Sequence, residues 1–597
     1  MSVAERLEKL RRVMRQLGVD ACVVPTSDPH LSEYLPDRWQ AREWLSGFTG
    51  SAGTLVVCSD NAALWTDSRY WEQAEAELQG SGIALMRAGQ GNVSPAHVWL
   101  TQRLTKGQCI AIDGNVLSVQ AGRQWRDACQ AAELRLALDF DLPGMVWEDR
   151  PGLPRGSICE LHAPWACRSR QENFRALREE MQRREVQWHL MSALDDIAWL
   201  FNLRGNDIPY NPVFLAHALV GMETATLFVD EAKLGSALRR SLEKDGVSLA
   251  PYAAIDAALA GVSQGDRLLV DPARVTLGLL NLAVDAAIVE AVNPAHLFKS
   301  RKNAAEVANI RRTMEEDGAA LCEFFAWFES ALGKERITEL TIDERITAAR
   351  ARRPNFVSPS FGTIAAWRAN GAMPHYHATE QAHAVIDGSG LLLIDSGGQY
   401  LGGTTDITRV VPVGEVSAAE KRDYTAVLKG MIALSRAVFP AGLPAYALDS
   451  LARAPIWALG ADYGHGTGHG VGYFMNVHEG PQSISWRNTG NPHALMLEGM
   501  VTSNEPGLYR PGQWGIRIEN LVLATAHEST EFGDFLRFET LTLCPIDTRC
   551  ISVEMLSNEE LAWLNDYHAE VRRRLQGLVS GDALAWLMCR TEPLRAS

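Results

Sequence analysis

Two stretches of this chain repeat one another, and that repeat limits the folds open to it. Residues 44–77 read WLSGFTGSAGTLVVCSDNAALWTDSRYWEQAEAE, and residues 199–237 read WLFNLRGNDIPYNPVFLAHALVGMETATLFVDEAKLGSA. Each pattern predicts a tryptophan-led strand, a turn, a second strand and the start of a helix. The endings match as well, Leu64-Trp65-Thr66-Asp67 in one and Phe228-Val229-Asp230 in the other. A repeated unit of this kind implies two related α/β domains in tandem. The proline-rich Pro151 to Pro154 reads as a linker after the first, and Asn293-Pro294 with the basic Lys299 to Lys302 as a linker after the second. The expected domains are therefore 1–150, 151–300 and 301–597.

At 597 residues the chain exceeds what one hydrophobic core organises, and 46% apolar with 22% charged residues is ordinary globular composition. A formal net charge of -15 argues against nucleic-acid or anionic-membrane partners. Ten cysteines without a CxxC pair read as small buried hydrophobes of a reducing compartment. The opening MSVAERLEKLRRVMRQLG spaces its apolar residues helically, unlike a secretory leader, and no run approaches the roughly 18 apolar residues of a membrane span. The expectation is a soluble, cytoplasmic protein.

The third segment opens on a helical pattern from Ala304 to Leu332, closed by Gly333. Leu391 to Ile394 is an apolar run ending at Asp395, followed by the turn Ser396-Gly397-Gly398, and Thr404 to Val413 resumes as a β-branched strand. Glu559 to Leu587 is helical again. Asp395 and Asp406 thus flank a reversal that makes their strands antiparallel neighbours, about 4.8 Å apart. Like charges so placed need a cancelling cation, unless the two are unrelated turn aspartates.

Further along, YGHGTGHGVG presents His465 and His469 in a run of alternating glycines. Glycine at that density is incompatible with a zincin helix, no glutamate follows the first histidine, and no phosphate-loop motif is spelled. An extended, closely approached backbone fits, with imidazoles reaching into a cavity or satisfied within the loop. Glu505 in TSNEPG sits at a break, and alternation in GIRIEN puts Arg517 and Glu519 on one face and both isoleucines on the other. Either glutamate alone reads as a solvated strand residue. Together, four carboxylates and one neutral imidazole carry minus four, which two divalent cations cancel. A mostly oxygen shell with one nitrogen suits manganese or cobalt.

HYHATE at His375, LLLIDSGG, TTDITR, GHGTGHGVG, NVHEGP at His478, SNEPGLY and GIRIEN resemble, in order and spacing, the pita-bread metallopeptidases. With WLFNLRGNDIPYNPVF and GTGHGVGYFMNVHEGP, the whole chain is similar to the cytosolic three-domain Xaa-Pro aminopeptidases. The resemblance implies two creatinase-like N-terminal α/β domains before a C-terminal pita-bread catalytic domain, in an α/β (α+β) chain. It implies that Asp395 chelates one metal, Asp406 and Glu519 bridge both, and His469 with Glu505 completes the other. It implies manganese first, with cobalt or zinc as alternatives, and a homodimer. His375, His465 and His478 match its substrate histidines and Arg517 its supporting arginine, while His377 has no assigned place.

The implied reaction is attack by a metal-bridging hydroxide on the carbonyl before proline, with Glu505 as general base and acid and His478 and His375 at the substrate. Peptides with proline in the second position are the implied substrates. A prolidase, and a non-catalytic pita-bread peptide binder that has lost ligands, are the competing readings. The seventeen tryptophans read as core and interface anchors. Arg301-Lys302 and Arg311-Arg312 read as solvated helix faces. Asp67, Arg69, Arg204 and Asp207 are candidates for an active-site mouth.

Overall fold

The computed structural model of this protein describes residues 1–595, in two compact units that divide between Leu297 and Phe298. The N-terminal unit holds two six-stranded sheets. The first is built from β1 (Ala21–Pro25), β2 (Thr54–Cys58), β3 (Ala62–Thr66), β4 (Ile83–Arg87), β5 (Cys109–Ile112) and β6 (Arg135–Ala137), in the order β4-β3-β2-β1-β5-β6. The second uses β7 (Trp188–Met191), β8 (Ala216–Gly221), β9 (Ala225–Val229), β10 (Val247–Ala250), β11 (Arg267–Val270) and β12 (Ala287–Glu290), in the order β10-β9-β8-β7-β11-β12. The two orders are the same permutation. In both, the first strand pairs antiparallel with the second and parallel with the fifth.

The sequence echo falls on β2–β3 and β8–β9, but its tryptophans do not lead strands. Trp44 lies in the helix Ala41–Ser46 and Trp199 in Leu194–Leu200. Each helix stops at a left-handed residue, Gly47 (φ 74°) or Asn202 (φ 53°), and the strand pair begins only after the following loop.

In the C-terminal unit, β13 (Ile364–Trp367), β14 (Gly390–Ser396) and β15 (Ile407–Val413) form an antiparallel sheet with β14 in the middle. Leu391 and Leu393 enter one apolar cluster and Leu392 and Ile394 another, so β14 is covered on both faces. That is why its sequence is an unbroken apolar run rather than an alternation. The helix Ala304–Ala331 starts with Asn303 capping Ala305 and Glu306. A second sheet runs β16 (Val438–Pro440), β23 (Gly533–Thr540), β22 (Asn520–Thr530) and β19 (Val501–Asn504). The unit also holds a three-stranded sheet of Phe356–Pro359, Gly398–Tyr400 and Gly403–Thr404 and two short ribbons, β17 (Gly468–His469) with β18 (Ser483–Ile484), and β20 (Gly507–Arg510) with β21 (Trp514–Arg517).

Three local expectations are corrected. The strand expected over Thr404 to Val413 is broken at Thr405-Asp406, between the two-residue strand Gly403–Thr404 and β15. The helical stretch Glu559 to Leu587 is two helices, Asn558–Leu575 and Gly581–Arg590, parted where Gly581 takes φ 55°. The basic segment read as a solvated linker holds a helix, Pro294–Ser300, and buries Lys299 and Lys302, each at 5% exposure. Arg301 and Arg312 are exposed as expected.

Candidate metal centre

Asp395 is the penultimate residue of β14 and Asp406 precedes β15, and the register Asp395↔Thr408 sets both acids at one end of the sheet. The broken strand leaves the Asp406 side chain free of β15's alternation. Glu519 reaches the same place between β21 and β22, its N–H donating to Thr408 O at 3.1 Å and its Oε2 accepting from Thr408 Oγ1 at 2.7 Å. Its flanking Ile516 and Ile518 point into the core, as the alternation predicts. Glu505 follows β19, with its N–H on Thr467 O at 2.8 Å. His469 is on β17, in extended backbone and not a helix.

The five side chains converge. Ligand atoms of Asp406, His469 and Glu519 lie within 4.8 Å of one another. His469 Nε2 is 3.5 Å from Asp406 Oδ2 and 3.4 Å from Glu505 Oε1. Its Nδ1 is 3.0 Å from Gly470 O, so with Nδ1–H donating there, the Nε2 lone pair faces acceptor-only carboxylates. Such a face is repulsive unless a proton or a cation stands in it. Asp395 accepts from Arg517 Nη2 at 2.6 Å through Oδ2, while its buried Oδ1 has no hydrogen-bond partner.

The electrostatics carry the same message. Burial, partly offset by Arg517 and reinforced by Asp406, pushes Asp395 up to about 6. Burial raises Glu505 to about 7, and burial with its three acidic neighbours holds Glu519 well above the usual carboxylate range. Burial alone would lower His469, but Asp406 and Glu505 outweigh it and carry the ring to about 9. Four buried acids cannot all ionise beside one arginine. An orphaned carboxylate oxygen, an oxygen-rich donor set and a neutral imidazole fit divalent cations.

The alternating glycines have a steric reason. A Cβ on Gly468 would stand 2.0 Å from Ser503 O and one on Gly470 1.9 Å from Glu479 O, so β17 packs backbone to backbone on both sides. Two of the three candidate substrate histidines, His375 and His465, also have a buried polar support that the sequence did not reveal. Glu339, fully buried, accepts from Trp367 N, Asn370 Nδ2, Tyr376 Oη and Ala384 N, and so fixes the loop bearing His375. His377 is exposed on that loop. Arg453, anchored on Asp449, donates to the carbonyls of Tyr463 at 2.8 Å and His465 at 2.6 Å. His465 Nε2 is 2.7 Å from Tyr509 Oη, which accepts from Arg517 Nη1 at 2.8 Å. Tyr509 was within reach of sequence reasoning, since it closes SNEPGLY. The His478 ring stands edge-on to His469 with centroids 4.3 Å apart.

In the N-terminal unit, Asp67 and Arg69 pair with each other at 2.7 Å. Asp207 is buried against Lys233 at 2.5 Å, and Arg204 donates to the carbonyls of Ala198 and Leu203.

Residues 308–526 match the model of metallopeptidase family M24 and 534–594 its C-terminal region. Residues 6–138 and 149–306 each match a creatinase/prolidase N-terminal domain. Aminopeptidase P2 of Arabidopsis thaliana is 38% identical, covering 99% of this chain and 89% of the relative. Xaa-Pro aminopeptidase 1 of Dictyostelium discoideum is 37% identical over 100% and 97%. The chain belongs to metallopeptidase family M24, in its aminopeptidase P group. Among solved structures, the X-prolyl aminopeptidase of Caenorhabditis elegans, described as a cytosolic enzyme with a di-nuclear active site, superposes with TM-score 0.95 at 32% identity, covering all of both chains. The M24 fold, with two creatinase-type domains ahead of the catalytic domain, is thus established, and an intact acidic centre in an M24 chain is that of a metallopeptidase.

Proposed function

We propose that this protein is a dinuclear-metal aminopeptidase that hydrolyses the bond between an N-terminal residue and a following proline. The observation that carries the reading is the convergence of Asp395, Asp406, His469, Glu505 and Glu519 on one buried, under-compensated centre. In this reading Asp395, Asp406, His469, Glu505 and Glu519 would hold the two cations, with manganese preferred over cobalt or zinc. Bound there, two divalent cations bring water's pKa toward neutrality and polarise a carbonyl oxygen.

The chain's own groups do the rest. Glu505 would take a proton from the attacking water at its carboxylate and return it to the departing proline nitrogen. His478, edge-on to His469, and His375, on the loop fixed by Glu339, donate to the substrate around the scissile carbonyl. Arg517 keeps Asp395 ionised and oriented. His465, engaged at both nitrogens, holds Tyr509 against Arg517 and lines the substrate side with its ring. A proline nitrogen has no hydrogen to donate, so a site that asks for no donor there accepts it.

The relatives' names support aminopeptidase over prolidase action, and the complete ligand set speaks against a binding-only protein. Cytoplasmic location and a homodimer belong to the same proposal. The first is supported by the description of the nematode neighbour, beside a chain in which, among the described residues, no helix is long and apolar enough to cross a membrane. Division into domains at about 150 and about 300 is proposed as well. Metal analysis with cleavage of a Xaa-Pro-Xaa tripeptide and a Xaa-Pro dipeptide tests the reading. Chelator-sensitive, manganese-restored release of the first residue from the tripeptide is expected. Cleavage of the dipeptide alone would replace it with a prolidase.

A further inference from the structure

Lys299 and Lys302 enter the catalytic unit on a segment whose composition says solvent, yet both ammonium groups turn inward. They converge on Glu479, itself 3% exposed, with Lys302 Nζ 2.8 Å from Oε1 and Lys299 Nζ 3.1 Å from Oε2. The segment is pinned from outside, since Lys302 N–H donates to Gly499 O at 2.8 Å and Arg301 forms a bridge with Met500. Removing an ammonium group from water costs several kcal/mol, so two of them held on one buried carboxylate fix that carboxylate firmly in place.

Glu479 directly follows His478 in sequence. Its N–H donates to Gly470 O at 2.7 Å, and that same carbonyl accepts His469 Nδ1–H at 3.0 Å. Glu479 therefore lies one carbonyl away from His469 and one peptide away from His478. The missing Cβ of Gly470 is what lets the two segments close to this distance.

We propose that Lys299, Lys302 and Glu479 are positioning residues, a buried triad that fixes the tautomer and angle of the His469 ring and the placement of His478. Outer groups that orient a ligating histidine are worth about 10- to 100-fold in metal affinity. The inference rests on the proposed role of His469 as a ligand, and it adds a device that no ligand count contains.

The test uses the full chain with Lys302→Met, Lys299→Met, Glu479→Gln and Lys302→Arg. Lys233→Met, which breaks the buried Asp207 pair of the N-terminal unit, is the control. Manganese affinity by calorimetry, kcat and KM on a Xaa-Pro-Xaa tripeptide, and hydrogen exchange over residues 468–480 of metal-free protein are read together. Manganese binding is expected to weaken by about 10- to 100-fold and kcat to fall, with KM held within about twofold. Exchange over 468–480 should quicken, and Lys302→Arg should recover most of kcat. Lys233→Met should lower the unfolding temperature and move none of these. Triad variants that lose only thermal stability, with wild-type manganese affinity and wild-type exchange, overturn the proposal. If Lys302→Met does not fold, Glu479→Gln and Lys299→Met carry the same readings. If the wild-type protein binds no manganese and cleaves nothing, the functional reading falls instead, and the exchange data still decide for or against the triad.

Discussion

Among the described residues, two clusters place acidic and imidazole atoms within 4.8 Å of one another, Asp195, Asp196 and His296 in the N-terminal unit and Asp406, His469 and Glu519 in the catalytic unit. By spacing alone they are equivalent. Their charge compensation differs. In the first, Arg274 stands 3.3 Å from Asp195 and 3.5 Å from Asp196 and bonds His296 Nδ1 at 2.9 Å, while Asn293 donates to Asp196 at 2.7 Å. The cation is covalent, supplied by the chain. In the second, four buried carboxylates share one arginine, whose ion pair goes to Asp395. A dication is wanted where side-chain charge falls short, and proximity of ligand atoms is only the first half of that criterion.

The sharpest way to break the comparison is to remove one acid from each cluster. Glu519→Gln should abolish metal retention and lower kcat/KM by at least ~1,000-fold, since several kcal/mol of charge stabilisation vanish with the cations. Asp196→Asn should leave metal content and kcat/KM unchanged. Metal analysis and tripeptide kinetics on the two proteins settle it, and equal metal loss from both would show that the clusters are alike.

The converse removes the cation. Arg274→Met removes the cation that two buried carboxylates share and should destabilise the N-terminal unit by about 3–5 kcal/mol, with manganese affinity intact. Calorimetric unfolding beside a binding titration measures both. A smaller effect is expected from Arg517→Met, where the cations remain to hold Asp395. Loss of the outer contact should weaken manganese binding by about 10- to 100-fold, roughly 1.4–2.7 kcal/mol. A change under about twofold would mean that Arg517 serves the fold alone.

Much of this contrast was legible in the sequence, for identifiable reasons. Asp395 closes an apolar run, so the end of a doubly covered strand was visible, and GIRIEN's alternation faithfully separates Glu519 from its isoleucines. The tandem echo survives as two sheets of one topology. What escaped depended on partners far along the chain. Lys302 looked solvated because its charge is local while Glu479, which buries it, is remote. Glu339 gave no signal, being one acid in an ordinary helix, yet it gathers four donors. The break at Asp406 was hidden by β-branched neighbours that favour strand on either side.

The gentlest probe of the comparison is pH, because the two units titrate in opposite senses when metal is absent. Burial lowers His30, His189 and His217 in the N-terminal unit. Below about pH 6.5 the unfolded chain takes protons that these rings refuse, so their contribution is lost as pH falls. In the catalytic unit His469 is raised to about 9. Its contribution is complete below the unfolded value near 6.5 and is lost as pH rises through 9, about 1.4 kcal/mol per pH unit for one group within that window. Glu505, raised to about 7, adds in the same direction at the lower end. Metal-free protein should therefore lose stability in urea between about pH 7 and about pH 8.5, a range in which the N-terminal histidines are neutral in both states. Manganese must displace the His469 proton to bind, so it should flatten or reverse that slope. Parallel slopes with and without manganese would mean that the proton on His469 and the cation do not compete for one place, and the imidazole would have to be struck from the ligand set.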